Sequence, residues 1–288
     1  MYCVKETGFW PVLDTVVMAL YRAVVACKTV LDQGVTIECR AKINTFLAVG
    51  PPDKRGWHPL RTIFQEIDLA DTITIEPAEV DEVAFSVQGV PAENTVTKAL
   101  RLIREHEEVP PLRIHVEKRI PMESGLGGGS SDAAGLIRHL FAGRSEDLKW
   151  HTARAIGADV PFFLYGGRAK GTDYGDFISP LPPLPKRWLV LARPAEGCPT
   201  PEMFRKLEEK PREFRDFPTE DELYNDFERV APCGSLELIE RLRVYGADDA
   251  ALTGSGSVVF GRFPDRDTAE DALAKISCEA DWCCLSST

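Results

Sequence analysis

The chain has 288 residues, of which 44% are hydrophobic and 27% are charged, a composition that excludes an intrinsically disordered protein. The formal net charge of −11 leaves no broad basic surface, so nucleic acid is not an expected partner. Eight cysteines lack metal-ligand spacing, which argues against a structural metal site and favours reduced thiols in a cytoplasmic protein.

The first 34 residues are the least regular part of the chain. The stretch from Val16 to Leu31 is apolar, but Arg22 and Lys28 interrupt it, and it falls short of the ~20 apolar residues that a membrane span needs. We therefore expect no membrane anchor here. We interpret residues 1–34 as an N-terminal extension, either a loosely docked amphipathic helix or residues upstream of the natural start.

A clear strand pattern begins at Val35. In VTIECRAKIN, small or apolar residues alternate with polar ones, which predicts a half-buried strand. Lys42 and Asn44 fall on its polar face. A lysine in that position is most often a solvated surface charge, so the pattern alone assigns it no function.

Further elements follow in the first half of the chain. Alternating or β-branched residues predict strands at 72–76, 83–88 and 112–118. A helix capped by Asn94 or Thr95 is predicted between the last two strands. The order of strands and helices lacks the regular βαβ alternation of a doubly wound sheet.

The segment 120–140 holds four glycines within five residues, followed by two serines and an alanine-rich helix. Glycines allow close backbone approach, and the unpaired N–H groups of a first helical turn attract anions, so we interpret the segment as a phosphate loop. A flexible turn would look similar. It is no Walker P-loop, and Ser130 replaces the last glycine of a dinucleotide fingerprint.

The sequence GLGGGSSDAAG resembles the phosphate loop of the GHMP kinases, a superfamily of small-molecule kinases. Segments 40–50, 55–76, 157–167 and 252–263 resemble one branch of it, which acts on a cytidine diphosphate-linked methylerythritol in non-mevalonate isoprenoid biosynthesis. The resemblance implies transfer of a phosphoryl group from ATP, with Mg²⁺, to the 2-hydroxyl of that small-molecule substrate. Another GHMP kinase, of mevalonate or homoserine type, stays an alternative.

The resemblance also implies a fold. It is the α+β, two-domain GHMP kinase fold, with the active site in the cleft between the domains. Residues 35–182 are expected to form the ATP-binding domain, which is similar to the second domain of ribosomal protein S5. Residues 183–288 are expected to form an α/β-sandwich substrate domain.

Two residues match the catalytic positions of the superfamily branch. Asp159, in GADVPFF, matches the aspartate that accepts the hydroxyl proton, although a turn or helix-cap carboxylate would look the same. Lys42 matches a lysine that holds this carboxylate ionised and favours the developing alkoxide. Asn44 would bind substrate from the same strand face.

The substrate residues implied by the resemblance are Trp57, His58, Thr200 and Phe204. Trp57 stands where relatives have tyrosine and would stack on cytosine opposite Phe204. His58 would hydrogen-bond the cytosine edge, with Thr200 nearby. Both large aromatics could instead belong to the core.

The ATP contacts implied by the resemblance lie in the glycine segment and at two outlying positions. The outlying residues are Asn94 and Lys118, at the adenosine, although Asn94 could simply cap a helix and Lys118 could be one of several strand charges. Serine hydroxyls would serve phosphate oxygens or a magnesium-bound water. The members in the segment are Gly125, Leu126, Gly127, Gly128, Gly129, Ser130 and Ser131.

Overall fold

A computed structural model describes residues 34–210 and 213–288, so the predicted extension at 1–34 lies outside the described residues except for Gly34. The described strands are β1 (Val35–Val49), β2 (Leu60–Pro77), β3 (Glu82–Phe85), β4 (Leu112–Glu117), β5 (Arg168–Thr172), β6 (Phe177–Pro180), β7 (Trp188–Arg193), β8 (Tyr224–Asn225), β9 (Asp249–Leu252), β10 (Val259–Phe263) and β11 (Trp282–Ser287). The described α-helices are α1 (Thr95–Arg104), α2 (Gly128–Leu140), α3 (Glu146–Ile156), α4 (Val160–Tyr165), α5 (Thr200–Glu208), α6 (Cys233–Val244) and α7 (Arg266–Ile276).

The first sheet contains seven strands in the order β3-β4-β2-β1-β8, with β5 joined to β2 and β6 joined to β5. Helices α1 to α4 cover one face of it. Their apolar stripes meet strand residues such as Ile73 and Val116 in one core cluster. The helix predicted between β3 and β4 is confirmed as α1, and it buries Val96, Ala99, Leu100 and Ile103.

Strand β1 runs through the middle of the molecule. The predicted alternation is confirmed up to Arg40, but the prediction of a half-buried strand is wrong beyond it, because every residue from Ala41 to Val49 is buried. The second sheet covers these residues of β1. Ala41 and Ile43 pack against Leu191 and Phe260 of that sheet.

The second sheet has four strands in the order β11-β7-β10-β9 and is backed by α6 and α7. The chain passes from the first sheet to the second between Pro180 and Trp188. Strand β8 then returns to the first sheet, where it pairs in parallel with β1 through Phe46 and Leu47. Among the described helices, none is long and apolar enough to cross a membrane.

Candidate active site

The glycine segment forms a turn that leads into α2. Gly125 and Gly127 both adopt left-handed backbone, with φ of 77° and 75°. A Cβ on Gly125 would lie 2.2 Å from the carbonyl oxygen of Thr253, and one on Gly127 would lie 2.8 Å from the Phe163 ring. No side chain caps the N-terminus of α2, so its first N–H groups are available to an anion.

A cavity of about 630 Å³ opens beside this helix terminus. This volume falls within the range of small-molecule sites. Its wall combines the phosphate loop, the start of α1, the first turns of α5 and the turn between β9 and β10. Gly125, Gly127, Gly128, Gly129 and Ser130 of the predicted phosphate loop lie on the wall.

Lys42 and Asp159 meet at the same cavity. The Lys42 Nζ lies 3.6 Å from Asp159 Oδ2, and it donates hydrogen bonds of 2.7 Å to Asn44 Oδ1 and to the Gly125 carbonyl. The Lys42 side chain is 3% exposed, whereas that of Asp159 is 36% exposed. The pair thus places a buried cation beside a carboxylate that reaches the cavity.

Burial lowers the pKa of Lys42, and the neighbouring Asp159 carboxylate opposes that shift. Asp159 stands at the N-cap position of α4, but its side chain makes no capping hydrogen bond. The alternative in which Asp159 only caps a helix therefore finds no support in its contacts. A half-buried carboxylate on a cavity wall is placed to accept a proton.

Asn44 lines the cavity, and its side chain forms hydrogen bonds to other residues of the protein. Its Nδ2 donates to Thr62 Oγ1 at 2.7 Å, and its Oδ1 accepts from Lys42 Nζ and from the Gly254 N–H at 3.0 Å. These contacts fasten β1 to the β9–β10 turn. In this structure Asn44 orients Lys42 and joins the two sheets.

Lys118 lies between two buried carboxylates. It forms ion pairs with Asp71 Oδ2 and, at 2.9 Å, with Asp132 Oδ2. Burial lowers the pKa of Lys118, but Asp132 and Asp71 outweigh it, so the net shift is upward. The other oxygen of Asp132, Oδ1, is buried without a hydrogen-bond partner, and the residue lies on the cavity wall.

The remaining predicted ATP residues take different places. Asn94 lies on the wall, and its Oδ1 also caps α1 by accepting from the N–H groups of Val96 and Thr97. Leu126 is buried in the core between the sheets. Ser131 is also buried and donates its hydroxyl to the Arg40 carbonyl, so the structure does not present that hydroxyl to a phosphate.

The predicted substrate residues separate into two pairs. Thr200 and Phe204 line the cavity, and Thr200 Oγ1 lies 2.9 Å from Ser255 Oγ. Within the described part of the chain, the cavity wall includes neither Trp57 nor His58. Trp57 is 61% exposed, which excludes a core role, and packs edge-on against Tyr174.

His58 is also placed differently from the expectation. Its Nδ1 lies 2.8 Å from the Gly50 carbonyl, and its Nε2 lies 2.9 Å from Glu208 Oε1. Its ring stacks on Phe204, with centroids 5.1 Å apart. Both ring nitrogens of His58 therefore have partners within the protein. The ring that stacks on Phe204 is His58, whereas the expectation was that Phe204 and Trp57 would lie on opposite faces of a bound cytosine.

Sequence reasoning missed Asp71, Asp132 and Glu208. Asp132 stood inside the glycine motif, where its position after two serines was the available signal. Asp71 and Glu208 carry no such signal, because their partners Lys118 and His58 are 47 and 150 residues away. Only the folded chain brings these groups together.

Comparisons with known proteins point to one family of kinases. Residues 94–167 match the family model described as GHMP kinases N terminal domain, and residues 234–281 match GHMP kinases C terminal. A 4-diphosphocytidyl-2-C-methyl-D-erythritol kinase of Moorella thermoacetica is 32% identical over 84% of this chain and 94% of that protein. One of Solibacter usitatus is 36% identical over 81% of this chain and 82% of that protein.

Solved structures indicate the same fold. A crystal structure of 4-(cytidine 5'-diphospho)-2C-methyl-D-erythritol kinase superposes with a TM-score of 0.76 at 30% identity, covering 88% of this chain and 98% of that one. Mevalonate kinase of L. major shares the fold with a TM-score of 0.65, at 14% identity over 90% of this chain and 97% of that one.

The α+β fold and the site define a two-domain GHMP kinase, a class of ATP-dependent phosphotransferases. The sequence relatives identify the family within that class. The chain belongs to the 4-diphosphocytidyl-2-C-methyl-D-erythritol kinase family.

Proposed function

We propose that the protein transfers the γ-phosphoryl group of ATP to the 2-hydroxyl of 4-diphosphocytidyl-2-C-methyl-D-erythritol, giving the 2-phosphate and ADP in the non-mevalonate pathway. The observation that carries the proposal is the convergence of Lys42 and Asp159 on a cavity that also receives the N-terminus of α2. The family relatives support the choice of substrate over mevalonate or homoserine.

The residues then divide the chemistry between them. Phosphoryl transfer needs in-line positioning and stabilisation of spread negative charge. Asp159 accepts the proton of the attacking hydroxyl, and Lys42 stabilises the alkoxide that forms. The N–H groups of Gly128 and Gly129 bind phosphate oxygens, with the hydroxyl of Ser130 beside them.

Magnesium fits one part of the wall. Among the described residues no cluster of three or more metal-binding side chains occurs, but Mg²⁺ is commonly held by one or two carboxylates together with substrate phosphates. The unpartnered Oδ1 of Asp132 and the hydroxyl of Ser130 would hold it. When bound, the ion would neutralise charge on the phosphates.

We further propose residues 35–182 as the ATP-binding domain and residues 183–288 as the substrate domain. Asn94 and Lys118 border the adenosine, while Thr200 and Phe204 border the cytidyl group. Trp57 lies outside the cavity wall in this structure and would have to move toward it to stack on the base. A cytoplasmic location fits the six described cysteines, all of which are free thiols.

The function is tested by measuring ADP release with the cytidylated substrate, mevalonate, homoserine and galactose in parallel. We expect turnover with the cytidylated substrate alone. Equal or faster turnover of another alcohol would replace the proposed substrate. Absence of ADP release with every alcohol would overturn the proposal of a kinase acting at this site.

The role of Asp159 is tested by Asp159→Asn, which keeps the shape of the side chain but removes the base. Turnover should fall by at least about a hundredfold, while ATP affinity stays unchanged. The exposed Asp271 offers a matched control as Asp271→Asn, which should keep full activity. Equal loss of ATP affinity and turnover in Asp159→Asn would contradict the assignment. Lys42 is less suitable, because removing it also takes away the 2.7 Å hydrogen bonds to Asn44 Oδ1 and to the Gly125 carbonyl.

A further inference from the structure

His58 lies in the loop between β1 and β2, and its side chain is 5% exposed. The Gly50 carbonyl oxygen is 2.8 Å from Nδ1, and the Glu208 carboxylate oxygen is 2.9 Å from Nε2. A carbonyl and an ionised carboxylate only accept hydrogen bonds, so each ring nitrogen must donate one. The geometry therefore calls for a ring that carries both protons and a positive charge.

Other acidic groups near this loop have partners of their own. Asp53, in the same loop, accepts hydrogen bonds from the backbone of Trp57 and from the Tyr174 hydroxyl. Asp226, in the 3-10 helix Asp226–Arg229, accepts from the N–H of Val49 and the Tyr224 hydroxyl. Glu208, on α5, is thus the carboxylate that meets the His58 ring.

The His58 ring in turn supports Phe204. The two rings are stacked, with centroids 5.1 Å apart and an interplanar angle of 29°. Phe204 lies one helical turn before Glu208 on α5, and it meets Phe227 edge-on at 4.9 Å. A cationic ring over an aromatic face adds electrostatic attraction to the packing. Phe204 and Phe227 both line the cavity.

We propose that Glu208 is a positioning residue for base recognition, which holds the charged His58 ring against Phe204 and so fixes the aromatic surface on which the cytidyl base packs. The proposal rests on the proposed function. His58 then supports Phe204, since both of its ring nitrogens already have partners in the protein. Glu208, which lies in none of the sequence motifs, holds the ring in place.

The first test compares Glu208→Ala with wild type in steady-state kinetics on the full chain. Loss of a charged hydrogen bond should raise KM for the cytidylated substrate about tenfold, with kcat and KM for ATP nearly unchanged. Glu209→Gln is the control, because the Glu209 carboxylate follows Glu208 in the chain and pairs with Arg205 on the surface. That variant should behave as wild type. An unchanged substrate KM in Glu208→Ala, or an equal rise in KM for ATP, would overturn the proposal.

The second test uses the conservative variant Glu208→Gln. A glutamine amide can accept a hydrogen bond from a protonated ring nitrogen or, turned over, donate one to a bare nitrogen. Glu208→Gln therefore keeps a contact with the His58 ring, and its KM for the cytidylated substrate should stay close to that of wild type. A rise in KM as large as in Glu208→Ala would contradict positioning of the ring through this hydrogen bond.

The third test needs no substrate. Ring ¹⁵N resonances of His58, assigned by their loss in His58→Gln, should show two protonated nitrogens near neutral pH in wild type and a neutral ring in Glu208→Ala. A neutral ring in wild type would overturn the proposal. Wild type that shows the charged ring but no turnover of the cytidylated substrate would overturn the proposed substrate and, with it, the role in base recognition. An active wild type with an unaffected Glu208→Ala would overturn only the role of Glu208.

Discussion

Lys42 shows how single residues set the geometry of the site. Its ammonium group meets Asn44 Oδ1, the Gly125 carbonyl and Asp159, while its side chain is almost fully buried. Asn44 is itself held by Thr62 and the Gly254 N–H. A lysine held on three sides loses little further freedom when substrate arrives, which favours preorganised stabilisation of negative charge.

Gly127→Ala should damage catalysis through this lysine. The new Cβ would lie 2.8 Å from the Phe163 ring and 3.2 Å from Lys42 Cε, at a φ of 75°. We expect a loss of ~1–2 kcal/mol in the free energy of unfolding from the left-handed backbone and a fall in kcat of roughly tenfold or more from the displaced lysine.

Gly143→Ala separates the two effects. Gly143 has a φ of 81°, but a Cβ there would meet nothing within 4 Å. It should show a similar loss of stability in urea denaturation with unchanged kcat. Equal kcat in the two variants would show that contact with Phe163 and Lys42 has no catalytic consequence.

Trp57→Ala tests the aromatic predicted to stack on cytosine. Because the indole is 61% exposed, the free energy of unfolding should stay within about 0.5 kcal/mol of wild type. KM for the cytidylated substrate should rise by ten- to hundredfold, from loss of ~1–3 kcal/mol of stacking, whereas Trp57→Tyr should be tolerated. A substrate KM unchanged in Trp57→Ala would remove Trp57 from the site.

At the scale of elements, helices α1 and α2 both start at the cavity wall but begin in different ways. Helix α1 has a complete capping box, in which Asn94 accepts from two backbone N–H groups and Thr97 returns a contact to the Asn94 N–H. Helix α2 begins at a left-handed glycine with no side-chain cap. The first N–H groups of α1 therefore have acceptors within the protein, whereas those of α2 are left for a ligand.

Asn94 therefore offers a test at the helix level. Asn94→Ala should lower the free energy of unfolding by ~1 kcal/mol, because two N–H groups lose their acceptor. Asn94→Asp keeps the acceptor oxygens but loses the Nδ2 donor, so it should retain stability. Urea denaturation measures both. Equal stability of Asn94→Ala and wild type would contradict the capping role. A higher KM for ATP in Asn94→Asp, a variant whose stability is retained, would support the adenosine contact.

Across the whole molecule, apolar clusters and buried polar contacts hold the two sheets around the active-site cavity. Val258 donates its N–H to the Ser124 carbonyl, and Asn44 reaches the Gly254 N–H, so the β9–β10 turn supports the phosphate loop. Behind that loop, Asp71 accepts from the N–H groups of Arg119 and Ile120 and pairs with Lys118. These contacts fix the loop from both sides.

The buried charges should make stability depend on pH. Burial, reinforced by Asp71 and opposed by Lys118, raises the pKa of Asp132 to about 7. In the unfolded chain an aspartate titrates near pH ~4, so between about pH 4 and about pH 7 the folded protein retains a proton that the unfolded one releases. The stabilising contribution of Asp132 to the free energy of unfolding is therefore present at low pH and is lost as pH rises through that window.

Asp132→Asn should flatten the pH profile over that window, because the amide does not titrate. Urea midpoints at a series of pH values measure the effect, with Asp271→Asn as an exposed control whose profile should follow wild type. A profile of Asp132→Asn that runs parallel to wild type would show that another group sets the pH dependence.

The sequence by itself determined the elements and motifs that depend on local pattern. Strand β1, helix α1 with its cap and the glycine turn before α2 follow from alternation, helical spacing and backbone freedom, which neighbours along the chain decide. Resemblance then indicated the family and drew attention to Lys42 and Asp159, whose catalytic roles stay predictions.

Only the tertiary structure decided what each side chain faces. A second sheet buries β1 beyond Arg40, so Lys42 is a buried cation where local pattern gave a surface charge. Ser131 turns inward, and His58 binds Glu208, which lies 150 positions further along the chain. The physical reason is that burial and charge pairing depend on which distant segments pack together, and the spacing of residues along the chain carries no record of that.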